Sequence, residues 1–371
     1  MNKALKRVVF KIGSSSLTFP QGGVNGPVME RLAGTIAGLV KEGLECVLVT
    51  SGAVAAGLAK MNLRKKPKDL AGKQAAAAVG QGVLIEKYSC FFEQYGLTCA
   101  QILLSRIDLV ESAHYKNAKN TLEKLLKYGI VPIVNENDTV VVEELCFGDN
   151  DRLSAMVAGL IDADLLILLT DVDGLYTANP VKDPTAELIK TVENIPEVFD
   201  LAGGSGSMAG TGGMVTKLKA AEMATRFGID VFFMNTAYLN EVNQFLNGEL
   251  PRGTYFPPCE HKFAGKKRWI AYAGLSMGTI MIDDGAQEAL LHGGKSLLAP
   301  GITKIDGYWE RNDLVRVFNL REEEIARGLV ELSSEEVARV IGLHSDEIAR
   351  LIPDTKGREV IHRDKMTVFE D

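Results

Sequence analysis

Short apolar runs that each end in a polar cluster constrain this chain more than any other feature. Val8-Val9-Phe10 leads into Lys11, Cys46-Val47-Leu48-Val49 into Thr50-Ser51-Gly52, Ile130-Val131-Pro132-Ile133-Val134 into Asn135, and Leu165-Leu166-Ile167-Leu168-Leu169 into Thr170-Asp171. Runs this short and continuous have no polar face, so they read as parallel strands covered on both sides. Between them, residues 28–42 place Val28, Leu32, Ile36, Leu39 and Val40 on one helical face. Residues 150–163 do the same with Leu153, Met156, Val157, Leu160 and Ile161, and Asp149 or Asn150 can cap that helix. The alternation predicts an α/β fold, a mostly parallel open sheet covered by helices on both faces. In such sheets ligands bind beyond the carboxyl ends of the strands, so the polar clusters are expected to converge on one site.

At 371 residues, two domains are the natural expectation. The character of the chain changes at Tyr255-Phe256-Pro257-Pro258-Cys259, a linker-like stretch. Residues 1–257 form the strand–helix domain. Residues 267–371 hold short strands and short helices, one announced by the capping-box pair Ser333 and Glu336, and read as a small mixed α+β domain.

A net charge of −7 argues against a nucleic-acid binder that works by bulk electrostatics. The five cysteines, Cys46, Cys90, Cys99, Cys146 and Cys259, are odd in number and include no CxxC pair, the pattern of reduced thiols in a cytoplasmic protein. Lys11 interrupts the N-terminal apolar run, which argues against a secretory leader, and no stretch approaches a membrane span.

Lys11 precedes Gly13-Ser14-Ser15-Ser16, where a glycine admits phosphate oxygens to the backbone and an ammonium can neutralise a transferring phosphoryl group. A lysine snorkelling from a strand end accounts for that cluster equally well. Gly210-Thr211-Gly212-Gly213 runs into a helix from Met214 to about Phe227 that carries Lys217. This is no Walker A motif, and a mobile surface loop is the plain alternative. A loose glycine fingerprint at Gly204–Ala209 follows no strand, so a dinucleotide-dependent oxidoreductase has little support. Asn135, Asn137 and Asp138 on one loop, and Asp149, Asn150 and Asp151 on another, offer carboxylates for a substrate ammonium and, with Ser51, donors for a substrate carboxylate. Ordinary Asx turns explain either cluster separately. Together the clusters suit an anionic phosphate donor and a small polar acceptor, the equipment of a phosphotransferase.

In this order the motifs resemble the amino-acid kinase family over essentially the whole chain, and within it the glutamate kinase branch. The resemblance is carried by Val9–Ser15, Val49–Gly57, Val134–Asp138, Phe147–Asp151 and Gly210–Lys217. The segment from Lys267-Arg268-Trp269-Ile270 is similar to a C-terminal PUA domain. The resemblance implies ATP-dependent phosphorylation of the L-glutamate side-chain carboxylate to L-glutamyl 5-phosphate, the first step of proline synthesis. It implies that Ser51, Asn135, Asp138 and Asn150 bind glutamate. ATP would be contacted by Lys11, Gly13, Thr170, Asp171, Thr211, Gly212, Gly213, Met214, Val215, Thr216 and Lys217. Lys11 and Lys217 would stabilise the transferring group, with Asp151 holding both lysines in place.

Mg²⁺ is expected to ride on the ATP phosphates with no protein ligand cage. The family also implies a homo-oligomer, a dimer or tetramer. The chain ends after the PUA-like segment, so a separate glutamyl phosphate reductase is expected to take up the product. Two alternatives stay open. An aspartate-type kinase differs in substrate by one methylene. An RNA-binding PUA protein is disfavoured because residues 262–371 hold 16 Lys and Arg against 19 Asp and Glu.

Overall fold

The computed structural model describes residues 5–19, 23–63, 65, 67–110, 112–140, 150–202, 213–259, 270–271, 276–343, 351 and 359–369. The chain divides into two compact units, Met1–Lys262 and Phe263–Asp371.

The first unit is built on a seven-stranded sheet of β1 (Arg7–Ile12), β2 (Glu45–Val49), β3 (Cys99–Leu104), β4 (Val131–Glu136), β5 (Leu165–Thr170), β6 (Asp230–Asn235) and β7 (Thr254–Phe256). Its order is β3-β4-β2-β1-β5-β6-β7. The first six strands run parallel and β7 runs antiparallel to β6. Tyr255 and Phe256, read from sequence as linker, therefore belong to an edge strand, and the paired prolines follow it. A three-residue strand is too short to carry a pattern of its own; its partner β6 selects it.

The central strands are buried as their apolar runs require. Every residue of β4 and β5 is buried, and Val8, Phe10 and Ile12 pack with Leu48, Ile133 and Ile167 in one core. Helices α1 (Ser14–Leu17), α2 (Gly26–Lys41), α3 (Ala53–Lys60), α4 (Leu70–Glu93), α5 (Arg106–Val110), α6 (Ser112–Lys127), α7 (Asn150–Leu160), α8 (Phe199–Ala202) and α9 (Met214–Arg226) alternate with the strands. α2 starts where Asn25 Oδ1 accepts from the Val28 amide and Pro27 occupies the first turn. It buries Val28, Met29, Leu32, Ile36 and Leu39 against the sheet. α7 ends earlier than its apolar stripe extends, because Asp162 takes a left-handed turn, with φ 52°, two residues beyond it.

One helix pair, α3 and α4, is packed far more closely than side chains usually allow. A Cβ on Gly57 of α3 would lie 1.8 Å from the Ala76 carbonyl oxygen, and one on Gly80 of α4 would lie 1.7 Å from the Ala53 carbonyl oxygen. The two helices thus meet backbone to backbone, a packing only glycine permits at those positions.

The second unit carries a six-stranded, mostly antiparallel sheet that includes the strands Ser276–Ile282, Leu314–Phe318, Glu324–Val330 and Glu359–Val368. Trp309, fully buried among Ile280, Val317 and Val330, donates from Nε1 to the Leu332 carbonyl at 3.2 Å. The capping box read from sequence is present: Ser333 Oγ accepts from the Glu336 amide, and the Glu336 carboxylate accepts from the Ser333 amide.

Candidate active site

Parallel pairing places the carboxyl ends of β1, β2, β4 and β5 on one edge of the sheet. Lys11 stands inside β1 rather than after it, in register with Val49 on one side and Leu168 on the other. Its ammonium does not snorkel to water. The residue is buried, and Asp151, with no exposed surface, takes it as an ion-pair partner. A buried lysine persists in a sheet only with such a partner.

Asp151 is the second residue of α7. It also accepts from Lys217 Nζ at 3.1 Å and from Thr216 Oγ1 at 3.0 Å. Lys217 is the fourth residue of α9 and is itself buried. One carboxylate therefore holds two ammonium groups that would otherwise repel each other. Burial pushes the Asp151 carboxyl up, but the charges of Lys11 and Lys217 and their hydrogen bonds together outweigh it and hold the group below its ordinary value of 3.8. The N-cap of α9 is Gly213, which has no side chain to cap the first amides of the helix, near Lys217. Gly13 precedes α1 in the same uncapped way, one residue past β1.

The neighbouring residue serves a different group. Asn150 Nδ2 donates to the Thr50 carbonyl at 2.5 Å, to Ser51 Oγ at 3.0 Å and to Asn135 Oδ1 at 2.7 Å. Asn135 Oδ1 also accepts from the Glu136 amide at 3.0 Å, and Asn135 Nδ2 donates to Gln81 Oε1 at 2.8 Å. Ser51 sits in the turn between β2 and α3, where Gly52 takes φ 91° and starts the helix. Ser51, Asn135 and Asn150 are thus brought together as expected, with one change. Sequence reading offered the Asn150 amide as a donor to a substrate carboxylate; the structure commits its Nδ2 to the protein. Its Oδ1, an acceptor suited to an ammonium, makes no hydrogen bond seen among the described residues.

Asp138 lies half-buried in the turn after β4. Thr170 is buried at the end of β5, and its Oγ1 donates to Asp171 Oδ1 at 3.1 Å, while Asp171 itself is exposed. Asn235, ending β6, donates from Nδ2 to the Asp171 carbonyl at 3.1 Å and to Asp173 Oδ1 at 3.0 Å, fixing that turn. Met214 and Val215 open α9 beside Thr216 and Lys217. Thr211, Gly212, Asp149 and Cys146 lie outside the described residues. Among the described residues, no group of three or more His, Cys, Asp or Glu side chains converges as a metal cage, and no helix is long and apolar enough to cross a membrane.

Sequence reasoning missed Gln81. It is also silent on the Thr50–Tyr88 hydroxyl pair (2.9 Å), which steadies the end of β2 from α4. The available signal for Gln81 was a single long amide in a helix turn made otherwise of Ala, Gly and Val. It marks nothing until the helix is packed.

The amino acid kinase family matches residues 6–235, and the PUA domain matches residues 278–352. A protein of Desulfitobacterium hafniense (strain Y51) named glutamate 5-kinase is 62% identical over 365 residues, covering 98% of this chain and 99% of that one. Proteins of the same name from Moorella thermoacetica and Thermoanaerobacter sp. (strain X514) are 46% and 45% identical over 365 residues. Those matches cover 98% of this chain and 96% and 98% of the relatives.

Proposed function

The chain belongs to the amino acid kinase family, and from that premise we propose how its site does the work. It transfers the γ-phosphoryl group of ATP to the side-chain carboxylate of L-glutamate, forming L-glutamyl 5-phosphate, the first step of proline biosynthesis. The observation that carries the mechanism is the buried Lys11–Asp151–Lys217 arrangement.

The acceptor is already ionised at neutral pH, so no general base is required. A carboxylate oxygen attacks the γ-phosphorus as the bond to the β–γ bridging oxygen breaks; ADP leaves and no proton moves. The barrier lies in bringing two anions together in line. Lys11 and Lys217 neutralise that repulsion, and the buried Asp151 holds both ammonium groups at fixed positions before substrate arrives. Mg²⁺ brought with ATP would neutralise further charge on the phosphates. Gly13, Thr170, Asp171, Gly213 and the first residues of α9, Met214 to Lys217, serve the nucleotide, together with Thr211 and Gly212, which precede them in sequence. Ser51, Asn135, Asp138 and Asn150 line the acceptor side, where Asn150 Oδ1 and the Asp138 carboxylate receive the substrate ammonium. Residues 1–257 carry this chemistry and residues 267–371 form the PUA-like domain. The enzyme works as a cytoplasmic homo-oligomer, and its labile acyl phosphate passes to a separate reductase.

ATP-dependent hydroxamate formation with hydroxylamine tests the reaction, because hydroxylamine traps an acyl phosphate. A signal with L-glutamate that exceeds the signal with L-aspartate is expected. A preference for aspartate overturns the substrate, and silence with both overturns the reaction.

A further inference from the structure

We propose that Gln81 is a further acceptor-binding residue, whose Nε2 donates to the non-reacting α-carboxylate of the amino-acid substrate. This rests on the proposed acceptor pocket and extends it by one residue.

The amide directions in the pocket are fixed from two ends by the backbone. The Thr50 carbonyl only accepts, so the branch of Asn150 that meets it at 2.5 Å is Nδ2. The Glu136 N–H only donates, so the branch of Asn135 that meets it at 3.0 Å is Oδ1. Asn135 must then present Nδ2 to Gln81, and the Gln81 branch 2.8 Å away is Oε1. What remains at the end of the chain is Gln81 Nε2. It is buried, on a residue only 8% exposed, and has no hydrogen-bond partner among the described residues.

A buried donor without an acceptor carries a desolvation penalty and is rare in a folded protein unless a ligand or water completes it. The position of this donor is built rather than incidental. Gly80, the residue before it, brings α4 onto the Ala53 carbonyl of α3, and α3 begins directly after Ser51 and Gly52. The same contact that seats Ser51 seats Gln81.

The chemistry of the acceptor matches. An amino acid with a second carboxylate carries two anionic ends. The reacting end belongs with Lys11 and Lys217, around Asp151. From Asn150, the neighbour of Asp151, the amide chain runs through Asn135 to Gln81, and its last member is an N–H donor. An uncharged amide donor suits the carboxylate that must be held without being activated.

Two substitutions and the wild-type enzyme test the assignment by steady-state kinetics of hydroxamate formation. Q81E keeps an oxygen for Asn135 Nδ2 and replaces the donor by a carboxylate oxygen. Q81M keeps the length of the side chain and removes both polar groups. Both are expected to raise KM for L-glutamate about tenfold or more, with KM for ATP and the unfolding midpoint close to wild type. If Q81M raises KM while Q81E stays within about twofold of wild type, Gln81 acts only by orienting Asn135 and the donor role is overturned. Wild-type KM values for glutamate in both variants overturn it as well. Q81M introduces no buried charge, so if Q81E fails to fold, a wild-type KM for glutamate in Q81M still overturns the proposal, and Q81L in place of Q81E does the same. A wild-type enzyme that forms no glutamyl hydroxamate overturns the proposed function instead, and is told apart because it needs no variant.

Discussion

Asn150 and Asp151 are consecutive residues that serve opposite halves of the site. The Asn150 amide reaches Ser51 Oγ at 3.0 Å, while the Asp151 carboxylate reaches Lys217 Nζ at 3.1 Å. Both sit in the first turn of α7, where successive side chains point about a quarter-turn apart. In the proposed site, one helix start thereby sets the spacing between acceptor and phosphoryl donor.

Replacing Lys217 by alanine removes one of the two ammonium groups. Asp151 keeps Lys11 as a partner, so the fold is expected to survive. Turnover is expected to fall by about 10²–10³, the usual cost of losing one preorganised charge partner of a transition state. Steady-state kinetics with circular dichroism checks both parts. Wild-type turnover in K217A removes Lys217 from the mechanism.

Asp151→Asn preserves shape and removes the shared counter-charge of two buried lysines. It is expected to abolish activity and to cost about 3–5 kcal/mol of stability at neutral pH. The sign with pH follows from the lowered carboxyl. Its folded value lies below the ordinary 3.8, so its contribution is fully present above about pH 4 and is lost as pH falls through the folded value. In denaturant titrations the stability gap between wild type and D151N is expected to narrow as pH is lowered below about 4. A gap that widens on acidification contradicts the ion-pair account.

Asn150→Ala leaves the Thr50 carbonyl and Asn135 Oδ1 each short of a donor and removes the oxygen assigned to the substrate ammonium. KM for L-glutamate is expected to rise by about 10–100-fold, from one to a few kcal/mol of lost hydrogen bonding. KM for ATP is expected to hold. Equal rises in both constants would indicate a general collapse of the site.

Gly80→Ala drives a methyl into the Ala53 carbonyl, which is backbone and cannot swing aside. The helices must separate, at about 1–3 kcal/mol for overpacking. Because Ser51 and Gln81 ride on the two sides of that contact, KM for L-glutamate is expected to rise along with the lowered unfolding midpoint. Thermal unfolding and kinetics on the same sample check the coupling, and a destabilised variant with unchanged KM breaks it.

The chain's own order of residues determined the α/β class, the four central strands, α2, α7 and α9, and the polar clusters at the strand ends. Those features are local: continuous apolar runs bury on both faces wherever they pair, and caps such as Asn25 and Ser333 act within one turn. The resemblance supplied the roles of Lys11, Asp151 and Lys217, which their spacing of 140 and 66 positions does not reveal. Tertiary structure decided the rest. It made Lys11 a buried strand residue rather than a snorkelling one, because Asp151 arrives from α7 to pair with it. It turned Tyr255 and Phe256 into an edge strand, because β6 offered an open edge. It also fixed the Asn150, Asn135 and Gln81 amides, whose two ends look alike in a sequence. Only the fixed donors and acceptors of the Thr50 and Glu136 backbone, brought within hydrogen-bond reach by the sheet, choose which end of each amide is committed to the protein.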